Sequence, residues 1–100
     1  MMLTYRVYQL KKEHFHGKAF EPYDRVKKEY GEPKKDWYDC VYEFQWGDYI
    51  APDELYYMFN EHRPEDFKGH SLSVSDVVEM PDGFRYCDDF GWMELNWGDQ

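Results

Sequence analysis

Cysteine is scarce in this chain: only Cys40 and Cys87 are present, and they form no Cys-x-x-Cys pair. That lends no support to a zinc framework or a dithiol redox motif. Both thiols fall in predicted strands, where they read as small buried core residues or, if the strands are neighbours, as a disulfide. No apolar run approaches the roughly 18 residues of a membrane span, and nothing resembles a secretion signal. The expected location is the cytoplasm. Basic residues are also scarce beyond residue 35, where three Lys/Arg face sixteen Asp/Glu. A field of that sign repels phosphate backbones and disfavours direct contact with nucleic acid, while drawing basic surfaces.

Acid and aromatic rings are abundant. The formal charge is −9, and 10 Tyr, 7 Phe and 4 Trp sit among 100 residues. Disordered chains are poor in aromatics, so a folded domain is expected. The length sets one domain, residues 1–100, with one modest core. The charge is uneven: residues 1–35 hold nine Lys/Arg against five Asp/Glu. The acidic remainder carries all four Trp.

Residues 3–10 alternate as a strand, with Leu3, Tyr5 and Val7 on one face and Tyr8 and Leu10 on the other. Residues 11–18 read as a polar loop. Pro22 opens a short helix with a Tyr23/Val26/Tyr30 stripe, and Gly31 closes it. Residues 37–46 form the clearest strand, with Tyr38, Cys40, Tyr42, Phe44 and Trp46 on one face. Pro52-Asp53-Glu54 starts a second helix with Leu55, Met58, Phe59 and His62 along one side. Residues 72–80 and 84–90 predict a hairpin turning at Asp82-Gly83. The tail from Gly91 to Trp97 is either a short edge strand or a segment across the sheet. The fold class is α+β: a mainly antiparallel sheet of 4–5 strands, covered on one face by two helices, in the order β-α-β-α-β-β.

Three clusters could carry chemistry. His14 and His16 sit at metal-ligand spacing, but no third or fourth ligand follows, so a solvated loop is the better reading. Residues 69–76 contain His70, Ser71, Ser73, Ser75 and Asp76. Without a Gly-x-Ser-x-Gly elbow these short polar groups are expected to satisfy backbone groups, with Asp76 hydrogen-bonded if it is buried. Asp82, Asp88, Asp89, Glu94 and Asp99, interleaved with Trp92 and Trp97, are either a solvated acidic face or a binding face for a basic partner. Adjacent strand carboxylates diverge, which argues against acid–base work, and Trp is a frequent interface anchor. No cofactor or metal is called for, and the chain is expected to bind rather than catalyse.

Tyr5-Arg6-Val7-Tyr8-Gln9-Leu10, Phe20-Glu21-Pro22-Tyr23-Asp24-Arg25, the block from Pro64 to Val78, and Tyr86-Cys87-Asp88-Asp89-Phe90-Gly91 together resemble the YodL-like domain family. The departures lie in residues 31–51 and the Trp-rich tail. The resemblance implies a protein of bacterial mobile elements, where such domains occur beside antirestriction modules, and it assigns no catalytic residues. A stand-alone copy would be a counter-defence inhibitor, of anti-CRISPR or antirestriction type, occupying the basic nucleic-acid channel of a host nuclease. The other reading is a non-enzymatic adaptor domain of conjugative-element proteins.

Overall fold

A computed structural model describes residues 1–97. Strand β1 (Leu3–Leu10) leads into a one-turn helix α1 (Lys12–Phe15) and then helix α2 (Tyr23–Tyr30). A single 3-10 turn over Lys35–Trp37 enters β2 (Tyr38–Trp46). Helix α3 (Pro52–Glu61) and strands β3 (Val77–Met80), β4 (Gly83–Cys87) and β5 (Trp92–Leu95) complete the chain. The strands form one sheet in the order β2-β1-β3-β4-β5, and every neighbouring pair is antiparallel. The α+β class and the antiparallel sheet are as the sequence indicated, and the tail supplies the fifth, edge strand.

The two long helices do not share a face. Tyr5, Val7, Val78 and Met80 pack with Leu55 and Phe59 of α3. Tyr8, Leu10, Val77, Phe84 and Tyr86 pack with Tyr23 and Val26 of α2. Consecutive strand residues point to opposite sides, so β1 and β3, apolar at both parities, need two covers. The expectation of one covered face is corrected to a helix on each side. Each fully buried large side chain contributes about 1.5–3 kcal/mol, so neither layer is dispensable.

A β-bulge corrects the reading of β2. Val7 pairs with Tyr42 but Tyr8 pairs with Cys40, leaving Val41 as the extra residue. One inserted residue reverses the side-chain parity. Tyr38 and Cys40 therefore face the α2 side, whereas Tyr42 and Phe44 join the α3 side. Cys40 lies exposed on the edge strand and Cys87 is buried in β4, and both are free thiols. Strands β1 and β3 lie between them, so neither a disulfide nor a matched pair of buried thiols holds.

Three local expectations also shift. Residues 12–15 turn once as α1 instead of staying a loop, and His14 stacks on Trp37 at 5.9 Å. Met80 pairs with Gly83, so Pro81 and Asp82 make the tight turn and Gly83, at φ 134°, begins β4. Residues 72–76 are not strand. Ser75 takes a left-handed φ of 87°, and Asp76 turns its carboxylate back onto the Ser73 amide at 2.9 Å.

Candidate partner-binding face

The acidic and aromatic residues singled out in the C-terminal part separate into different roles. Asp82 and Glu94 flank Arg85, at 3.1 and 3.6 Å, and Arg85 pairs with Glu94 in register across β4 and β5. Their charge is offset by one guanidinium. Asp88 accepts hydrogen bonds at one oxygen from the Tyr23 amide, 3.0 Å, and the Asp89 amide, 2.9 Å. Pro22 precedes α2 and has no capping side chain, so a carboxylate 65 residues away caps that helix. Trp97 is only 2% exposed and donates its indole N–H to the Pro33 carbonyl at 2.9 Å. It packs against Tyr8, Tyr38 and Phe84, so its expected role as an interface anchor is corrected to a core one. Asp99 lies outside the described residues.

Asp89 and Trp92 remain, and the structure brings them to α3. Pro52 suits the first helical position, Asp53 and Glu54 suit the first turn, and Glu54 accepts a hydrogen bond from the Ala51 amide at 3.3 Å. Leu55 and Phe59 are buried, which turns positions 53, 56 and 57 outward. The Trp92 indole N–H donates to Asp53 Oδ1 at 2.8 Å, and the Tyr56 ring meets the Trp92 ring edge-on at 6.4 Å. A small cleft beside Asp53, Tyr56 and Trp92 also touches Asp88, Asp89 and Gly91. On the other flank of α3, a cleft of about 540 Å³ is lined by Trp46, Ile50, Asp53, Glu54, Tyr57, Met58 and His62. Trp46, Tyr49, Tyr57 and Phe90 are 51%, 52%, 58% and 91% exposed.

Ion pairs offset only some of the surface acids. Glu43 and Glu79 share Arg6, Glu21 pairs with Arg25, and Glu32 pairs with Lys27. Among the described residues, Asp53, Glu54, Asp88 and Asp89 beside α3 have no Lys, Arg or His within 4.0 Å, as is also true of Asp24 and Glu29 on α2 and of other surface acids. An ion pair on a protein surface is worth at most about 1 kcal/mol, so unpaired acids cost the fold little and keep their field for another molecule.

The serine- and histidine-bearing loop is a buried polar joint. Gln9 Nε2 donates to the His70 carbonyl at 2.8 Å and to Asp76 Oδ2 at 3.1 Å, while its oxygen accepts from the His70 amide at 3.2 Å. A Cβ at Gly69 would overlap the Gln9 amide oxygen, so a larger residue there would have to push this hydrogen-bonded side chain aside. Burial pushes the Asp76 carboxyl up to about 7, against the Ser73 and Gln9 hydrogen bonds and the nearby His70 ring. The Ser75 hydroxyl accepts from the Phe20 amide at 3.0 Å, and His70 Nδ1 lies 2.8 Å from the Ser71 carbonyl. Burial pushes the Cys87 thiol up to about 12 and raises Cys40 as well, so neither is a thiolate near neutrality.

The sequence reading missed Trp46, Asp53, Glu54, Tyr56 and Tyr57 as members of one face. A signal was present. Tyr56 and Tyr57 are off the Leu55/Met58/Phe59 stripe, so they were bound to project away from the sheet.

The YodL-like domain profile matches residues 4–97. The chain belongs to the YodL-like domain family. Neither curated proteins nor solved structures returned a match. No helix among the described residues is long and apolar enough to cross a membrane.

Proposed function

We propose that this YodL-like protein is a mobile-element counter-defence inhibitor. Its outer α3 face, with Asp89 and Trp92, binds the basic nucleic-acid-binding surface of a host nuclease, of CRISPR-effector or restriction type, in the cytoplasm. It acts by occupancy, without turnover. One observation carries the reading: carboxylates without an ion-pair partner, Asp53 and Glu54, sit beside the exposed rings Tyr56 and Tyr57 on a helix side that the fold does not need to bury. Carboxylates steer a cationic surface in, and Trp and Tyr anchor it. The mobile-element setting that the family resemblance implies is what suggests a counter-defence context.

The test is a cleavage assay with purified nuclease. Combining Asp53→Asn, Glu54→Gln and Asp89→Asn keeps each acceptor oxygen and removes three charges. Inhibition should weaken by at least about tenfold, and should weaken for the parent protein as salt shortens the screening length from about 10 Å. Asp82→Asn with Glu94→Gln, which only frees Arg85, should change inhibition far less. Equal inhibition by the triple variant and the parent would overturn the assignment of this face. A stable complex with an element-encoded protein and no effect on cleavage would favour the adaptor reading.

A further inference from the structure

The cleft between the end of β2 and α3 has a more particular chemistry than the face around it. Its floor is apolar, with Ile50 buried and Met58 half-buried. Two large rings, Trp46 and Tyr57, wall it and are each more than half exposed. The Tyr57 hydroxyl and His62 Nε2 lie 3.2 Å apart, which steadies that wall. Asp53 and Glu54 supply two carboxylates, each with one oxygen engaged within the protein.

We propose that this cleft is a socket for a single arginine side chain of the partner, a proposal that rests on the partner-binding reading of the α3 face. Two carboxylates exclude an anion. Among the described residues no three ligating side chains converge to hold a metal ion. A purely aliphatic or aromatic occupant would leave two charges at the rim unanswered. An arginine meets all the walls at once: its stem covers the apolar floor, its planar guanidinium stacks on a ring, and its N–H groups reach the carboxylates. Lysine is the weaker fit, because an ammonium is more strongly hydrated and does not stack. The positive end of α3 opposes a cation, but it amounts to about half a charge against two carboxylates.

The experiment titrates the intact 15N-labelled protein with the acetylated, amidated tripeptide Gly-Arg-Gly. Parallel titrations use its citrulline and lysine analogues. Citrulline keeps the shape and loses the charge. The arginine peptide should move the Trp46 indole and the Tyr57 and Met58 amides with a Kd on the order of 1–10 mM. Citrulline should bind at least tenfold more weakly, and lysine should fall between. Trp46→Ala should weaken the arginine peptide several-fold, while Tyr30→Ala, an exposed ring elsewhere, should not. Thermal melts establish that both variants fold. Equal binding of arginine and citrulline, shifts centred away from Trp46, or no saturable shift would each overturn the socket. If the peptide binds here but no nuclease is inhibited, the function fails and the socket stands. If charge neutralisation abolishes inhibition while the peptide leaves Trp46 unmoved, the socket fails and the function stands.

Discussion

Helices α2 and α3 do the same job on opposite sides of one sheet, but their outer sides differ. Beyond Tyr23 and Val26, α2 presents Asp24, Arg25, Lys27, Lys28 and Glu29 to solvent, with one exposed ring, Tyr30, at its end. Helix α3, beyond Leu55 and Phe59, presents Asp53, Glu54, Tyr56 and Tyr57. Only the buried stripes are needed to cover the sheet. The outer side of α2 carries charges of both signs, whereas that of α3 carries two acids and two rings whose contacts within the fold are few: Asp53 and Tyr56 meet Trp92, Glu54 accepts from the Ala51 amide, and Tyr57 meets His62. Comparing two helices with equal structural duties isolates what the α3 side carries beyond them, and that is the side proposed above for partner binding.

The contrast can be broken first by rings that look alike in sequence. Trp97→Ala should lose about 3–5 kcal/mol of stability, because it empties a buried site on the α2 side. Chemical denaturation measures this, and a loss below about 1 kcal/mol would place Trp97 outside the core.

A buried acid sharpens the contrast with the exposed acids of α3. The folded chain holds a proton on Asp76 up to about pH 7, whereas an unfolded one releases it near 4. Between those values the folded state binds more protons, so this group makes stability fall as pH rises. Asp76→Asn should flatten that slope by an amount on the order of 2–4 kcal/mol across the window. Denaturation curves at several pH values check it, and an unchanged slope would show that Asp76 ionises normally.

Smaller effects follow. Asp88→Ala removes the α2 cap and should lower stability by about 1 kcal/mol. Tyr57→Ala, on the outer side of α3, should change stability by no more than about 0.5 kcal/mol while weakening partner binding. A large stability loss for Tyr57→Ala would erase the distinction between the helices.

Much of this fold was legible because it rests on local periodicity. The stripes of α2 and α3, and the alternation in β1, locate the elements to within a few residues. What escaped depended on contacts remote in sequence. The bulge at Val41 is a pairing property of β1 with β2, and no pattern within residues 37–46 reveals the change of face. The opposite placement of the two helices follows from the double-sided apolarity of β1, which was visible but was not followed through. Asp82, Asp88 and Glu94 were read as equivalent acids, yet Arg85 and the Tyr23 amide occupy them. The candidate face was half legible: Asp89 and Trp92 belonged to it, but the partners they meet on α3 lie more than 30 residues away.

The Asp88 cap has a further consequence. The same carboxylate closes the start of α2 and borders the cleft beside Trp92, so the two sides of the sheet share a residue. A visitor that drew Asp88 toward itself would take it from the Tyr23 amide and loosen the opposite helix. Thermodynamic linkage makes this reciprocal: whatever steadies the first turn of α2 holds Asp88 back from the cleft. A basic guest on one side and the order of a helix on the other would then be coupled through one oxygen atom.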